Sequence, residues 1–158
     1  MLSAFFKKLM FARQLSMTEG RVNILGKPQI ILPINVLPCM CESPQKTYEQ
    51  IKGTIKKDIK HYAQTIGSDE RNILNNVKDI YEIFGLGKLV VFDVNGKTKT
   101  CRVRVVESPY HEHKHSSPAA AITPGILAGM FSYVFAKDIE CGLKPTIESP
   151  TYKEFVIK

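Results

Sequence analysis

Apolar residues recur at three- and four-residue intervals in some stretches of the chain and at alternate positions in others, and these two periods predict the order of elements. Leu2, Phe5, Phe6, Leu9 and Met10 share one side of a helix predicted to end between Ser16 and Gly20. Arg21 to Leu25 and Gln29 to Ile34 are rich in β-branched residues and flank Gly26-Lys27-Pro28, the pattern of a hairpin. Pro33 and Pro38 then exclude regular structure until Ser43-Pro44, a cap and first-turn proline. Tyr48, Ile51, Ile55, Ile59, Tyr62 and Ile66 form the stripe of a long helix ending at Gly67. Ile73, Val77, Ile80 and Phe84 form a second stripe stopped by Gly85, so two antiparallel helices joined at Gly67-Ser68 are expected.

Lys88 to Val94 and Lys97 to Val106 flank Asn95-Gly96, the signature of a hairpin with a type I′ turn. Alternation points Cys101, Val103 and Val105 to one side of this ribbon and Arg102 and Arg104 to the other. Thr123-Pro124 opens a helix carrying Ile126, Leu127, Met130, Phe131, Val134 and Phe135, with Gly125, Ala128, Gly129 and Ser132 as a small face. Cys141 to Glu148 and Tyr152 to Ile157 read as closing strands around Ser149-Pro150. The order predicts an α+β fold, an antiparallel sheet of hairpins with helices packed on one face.

At 158 residues, 44% hydrophobic and 23% charged, the chain reads as one domain over 1–158 that builds its core without disulfides or a structural metal. No apolar run approaches the ~18 residues of a spanning helix. Lys7, Lys8 and Arg13 interrupt what a signal peptide would need as its apolar segment. Cys39, Cys41, Cys101 and Cys141 lack both a disulfide framework and C-x-x-C spacing, which fits a reducing cytoplasm. The net charge of +7 is concentrated at the start, where residues 1–60 hold 10 basic and 4 acidic side chains. Lys52, Lys56 and Lys60 would form a helical stripe, but no aromatic interleaving accompanies them, so a solvated face is expected and a nucleic-acid partner is disfavoured.

The segments Phe6 to Gln14, Gly20 to Gly26, Arg102 to Pro109, Pro124 to Gly129, Lys137 to Glu140 and Glu154 to Ile157, in this order, resemble the vinyl reductase domain family of small-molecule-binding proteins, which shares its fold with the Bet-type subunits of the TRAPP complex. The resemblance implies a dimer with an apolar cavity between helices and sheet that takes aromatic, tetrapyrrole-like or acyl ligands, often without catalysis. Aromatic-sensing members carry a Glu and Cys metal site where this chain reads Ala119 to Thr123 and Lys144 to Lys153; neither segment has a cysteine, and that site does not carry over.

His111, His113 and His115 are the one chemical motif, and imidazole ligates Zn or Ni. Alternate residues of an extended loop point the same way about 7 Å apart, so a solvated loop is favoured over a metal site. Cys39-Met40-Cys41 offers two thiols, though free cysteines more often serve as buried apolar groups. No phosphate loop, nucleophile elbow or cysteine–base pair is evident, and no catalysis is expected. The expected function is non-enzymatic binding of a hydrophobic small molecule, with a tethering subunit whose cavity is filled as the alternative. The candidate ligand-binding residues are Ile55, Ile59, Tyr62, Gly125, Gly129 and Met130; no cofactor is specified. Close helix packing is the competing reading of the two glycines. The apolar side of the first helix predicts a homodimer.

Overall fold

The computed structural model describes residues 4–18, 21–30, 36–66, 72–109, 118–143 and 151–158. Helix α1 (Ala4–Phe11) stops well before the Ser16 to Gly20 boundary its periodicity suggests, and Leu15–Thr18 is instead strand β1. The backbone explains the early stop: Arg13 turns left-handed (φ 54°), and the Gln14 N–H returns to the Leu9 carbonyl at 2.9 Å, closing the last turn. Of the predicted apolar side, Leu9 is fully buried and Phe5 packs against the core, while Met10 stands in solvent, as does Phe11 beside it.

β2 (Arg21–Ile24) and β3 (Lys27–Gln29) form the first hairpin, and β1 pairs with β2 to complete a three-stranded sheet. Its two-residue turn is Leu25-Gly26, both left-handed at φ 52° and 77°, which matches the strand twist as a type I′ turn does. The turn lies one residue earlier than the Gly26-Lys27-Pro28 pattern suggests, because burying the Leu25 side chain offsets its unfavourable backbone angle. Pro28 sits on an edge strand, where its missing N–H costs no ladder bond. The expected continuation of this strand to Ile34 lies outside the described residues.

After the short α2 (Val36–Cys39), α3 (Pro44–Ile66) begins where Ser43 Oγ accepts from the Lys46 N–H, and α4 (Ile73–Ile83) follows. A 3-10 turn (Pro118–Ala121) leads into α5 (Ile122–Val134). The main partner of α3 is α5, and α3 touches α4 only lightly, so the expected antiparallel pairing of α3 with α4 does not organise the core. Gly125 faces Tyr48 and Ile51, and Gly129 faces Lys52 and Ile55, which sets α3 and α5 running parallel. Helix α5 is buried on nearly all sides because it lies between α3 and the main sheet.

The main sheet is antiparallel, with β4 (Lys88–Asn95), β5 (Thr100–Val106), β7 (Tyr152–Ile157) and β6 (Cys141–Leu143) in that spatial order. The β4–β5 hairpin differs from a two-residue type I′ turn. Asn95 pairs with Thr100, leaving four loop residues; Asn95 Oδ1 accepts from the N–H groups of Lys97 and Thr98, and it is Lys99 that turns left-handed (φ 58°). A bulge between Phe92 and Asn95, with Asp93 at φ 52°, takes up the extra residue. The inner face carries Cys101, Val103, Val105, Phe155 and Ile157, all buried under the helices. The outer face carries Arg102 and Arg104, the latter bonded to Glu154 Oε1 at 2.6 Å and stacked on Tyr152 at 4.2 Å.

Candidate functional site

Both α3 and α5 begin with a proline in their first turns, and because they run parallel, their N-terminal ends open at the same place above the inner face of the sheet. There a cleft of about 240 Å3 remains. Ala119, Ala120 and Ala121 of the 3-10 turn, with Thr123 and Pro124, line one side; Val105 and Ser108 of β5 and its extension line the sheet side, and Pro44 closes the α3 end. Phe155 and Lys153 complete the wall from β7. The alanines keep this space open because their side chains are too short to fill it. Ser108 and Thr123 supply buried hydroxyls. Lys153 pairs across the ladder with Val105 and so lies on the same inner face as Phe155. Among the described lining residues it is the one ionisable group.

The structure places the sequence-predicted binding residues elsewhere, in the seam between α3 and α5 and beside it. Ile59 and Met130 are fully buried, and Ile55 packs against the core. A Cβ on Gly125 would lie 3.1 Å from the Tyr48 carbonyl oxygen, and one on Gly129 would lie 2.8 Å from both the Lys52 carbonyl oxygen and Ile55 Cβ. The small face of α5 is therefore taken up by α3 itself. Tyr62 is buried further along, its ring 5.7 Å from Phe84 and its hydroxyl accepting from Gln29 Nε2 at 3.3 Å. Burial raises its pKa. None of these six residues lines the cleft. The run Ala119-Ala120-Ala121 was the available signal, but nothing in a linear pattern pairs Lys153 with Val105.

Lys52 departs from the solvated stripe expected of it. Its side chain is 7% exposed and its ammonium binds Glu140 and, at 3.2 Å, Asp138 in the connection after α5. Tyr48 donates to Glu140 Oε2 at 2.6 Å and accepts from the Cys141 N–H at 3.1 Å. Burial alone would lower the Lys52 pKa, but the hydrogen bonds to Glu140 and Asp138 outweigh it and raise it. Those same bonds hold both carboxyls below their usual range. Tyr48 is pushed well above its ordinary value by burial and by its bond to Glu140. The cluster ties the first half of α3 to the α5–β6 connection.

Cys101 and Cys141 both pair with Ile157, which puts them on opposite neighbours of one strand, about 9–10 Å apart and beyond disulfide reach. Burial pushes the Cys101 thiol up to about 12 and Cys141 higher still, so neither is a thiolate near neutrality. Among the described residues no three His, Cys, Asp or Glu side chains gather as metal ligands. His111, His113 and His115 lie outside the described residues. No described helix is long and apolar enough to cross a membrane.

No family model matches the sequence, and no curated protein matches it. Solved structures do share the fold. The phenol-responsive sensory domain of the transcription activator PoxR, with phenol, has a TM-score of 0.71 at 14% identity, over 99% of this chain and 91% of that one. A vinyl-4-reductase family protein from Methanocaldococcus jannaschii has a TM-score of 0.56 at 14% identity, over 82% and 83% of the two chains. A trafficking protein particle complex subunit 3 from Naegleria fowleri, covalently bound to palmitic acid, has a TM-score of 0.52 at 11% identity, over 79% and 87%. At these identities the likeness establishes a common fold, the one the sequence resemblance implies.

Proposed function

We propose that the protein binds a small hydrophobic molecule, without transforming it, in the cleft between the starts of α3 and α5 and the inner face of the sheet. The observation that carries this reading is the cleft itself, walled by Val105, Phe155, Pro124 and the alanines of the 3-10 turn. Its size also narrows the ligand: a dry cavity of about 150 Å3 takes benzene, so 240 Å3 suits a substituted single ring or a short acyl chain. In this reading Gly125 and Gly129, with Ile55, Ile59, Tyr62 and Met130, set the separation of the helices that frame the cleft. The phenol named with the PoxR sensory domain is of the size this cleft suits.

A homodimer in the cytoplasm completes the proposal; exposed Met10, Phe11 and Met17 supply apolar surface for a second copy. The test of the binding reading is direct. Purified protein extracted with organic solvent should yield a copurified apolar compound by mass spectrometry, or should take up a neutral aromatic such as ethylbenzene in titration calorimetry. Ala120→Phe, whose ring would occupy the cleft, should abolish this uptake while leaving the melting temperature within a few degrees. Uptake that survives Ala120→Phe, or no uptake by wild type, overturns the reading and favours a tethering subunit.

A further inference from the structure

We infer that a second copy of this chain docks on the free edge of β4, the two β4 strands pairing antiparallel about a two-fold axis at Val90 so that the two main sheets become one. This rests on the homodimer reading above and assigns it an interface. β4 is an edge strand of the main sheet and, at 8 residues, the longest in it. From Lys88 to Phe92 it keeps regular register with β5, and the bulge comes only after Phe92. Along that stretch the backbone N–H and C=O groups turned away from β5 have no partner among the described residues. Folded proteins guard such an edge with a bulge, a charge or a covering element, because it templates another strand. Here Val90 stands 39% exposed in the middle of the regular stretch.

Helix α4 flanks this edge, and an open groove of about 550 Å3 runs between them. Its helical wall is Asn75, Lys78, Asp79 and Glu82, one stripe at three- and four-residue spacing. None of these side chains has a hydrogen-bond or ion-pair partner among the described residues. Lys78 and Glu82 stand four residues apart, but a lysine N-terminal to its glutamate is the weaker order for a pair on one helix. Burial and the neighbouring Glu82 raise the Asp79 pKa, and Lys78 and, from α1, Lys8 oppose the shift without cancelling it. A two-fold axis reverses the stripe, so Lys78 of each copy meets the partner's Asp79 and Glu82. A groove that is neutral as a whole is in this way complementary to itself. A foreign strand has to bring both charges in the right order; a second copy already carries them. The register follows from the faces, since residues directly opposite must lie on the same side of the sheet and the axis therefore passes through a residue. At Val90 it sets Val90 against the partner's Val90 and Leu89 against the partner's Val91, and it stops short of the bulge. At Val91 it would draw the left-handed Asp93 into the ladder. Phe11, 89% exposed, shares a side of α1 with Lys8, whose charge acts on Asp79, so the apolar side of α1 lies toward the same surface.

Sedimentation velocity on the full chain at micromolar concentration tests this. Val90→Lys changes an exposed position and sets two ammonium groups against each other at the axis. It should weaken the dimer roughly tenfold or more, with the circular dichroism of the folded chain unchanged. Lys78→Glu makes the charged stripe wholly acidic and should also weaken it. Adding Glu82→Lys to Lys78→Glu should bring association back, a rescue that a loss of folding would not show. Amide hydrogen exchange reads the edge itself: the N–H groups between Leu89 and Phe92 that face away from β5 should be protected in wild type and exchange freely in Val90→Lys. A dimer that neither Val90→Lys nor Lys78→Glu weakens overturns the edge pairing and leaves the homodimer reading on the apolar side of α1 alone. A wild-type chain that sediments as a monomer removes both and leaves the edge to a foreign strand. If Val90→Lys does not fold, the loss on Lys78→Glu and its rescue by Glu82→Lys decide on their own.

Discussion

Single residues show where the molecule has room and where it has none. Gly129 meets the α3 backbone so closely that any side chain must push the helices apart. Gly129→Leu is therefore expected to lose roughly 1–3 kcal/mol through overpacking, seen as a lower midpoint in thermal melts; unchanged or raised stability would mean that the seam holds space. Lys52 makes a different case, because its ammonium is buried while the carboxylates it holds, Asp138 and Glu140, are 69% and 58% exposed. Solvent screening discounts the pair, and Lys52→Met should cost about 1 kcal/mol near neutral pH. The sign with pH follows from the depressed carboxyls. Their contribution is complete above the ordinary carboxylate range and is lost as pH falls through the lowered folded values. The gap between wild type and Lys52→Met should then close in melts below about pH 4. A gap independent of pH would assign the loss to packing.

At the scale of elements, the two hairpins exchange the roles their sequences suggest. Asn95-Gly96 has the type I′ composition, yet Gly96 has no left-handed angle and open space around it, because Asn95 uses its side chain to cap a four-residue loop. Leu25-Gly26 has the poorer composition and adopts the I′ turn, since the Leu25 side chain belongs to the core. Gly96→Ala is expected to change stability by less than about 0.5 kcal/mol, whereas Gly26→Ala, at φ 77°, should cost roughly 1–2 kcal/mol. Denaturant melts of the two variants check the contrast, and equal costs would refute it. The helices were more legible. The α3 stripe from Tyr48 to Tyr62 and the Ser43-Pro44 start are found as read, because periodicity and capping are local. The end of α1 was not legible, since the bond from Gln14 back to Leu9 depends on β1 pairing beyond it.

At the scale of the whole molecule, Met10, Phe11, Met17 and Met40 remain more than half exposed. The proposed homodimer should appear in sedimentation at micromolar concentration, and Phe11→Ser should shift it toward monomer; a single ~18 kDa species for wild type would remove that proposal. The sequence by itself determined helices α3, α4 and α5, the strands of the β4–β5 hairpin, the α+β class and the inward side of β5, since each follows from local spacing, whereas Leu15–Thr18 and Val36–Cys39 took a strand and a helical turn that it did not predict. It did not determine which helix packs on which. The parallel seating of α3 on α5 rests on Gly125 and Gly129 meeting residues some seventy positions earlier in the chain. Nor did it determine the cleft, which exists because β7 inserts between β5 and β6, bringing Lys153 and Phe155 beside Val105 and beneath the alanines of the 3-10 turn. The candidate residues read from periodicity fell in the seam, because a periodic apolar stripe marks what is buried and carries no information about where burial leaves a space. Long-range strand order and helix approach decide that, and both are set by closing the core as a whole.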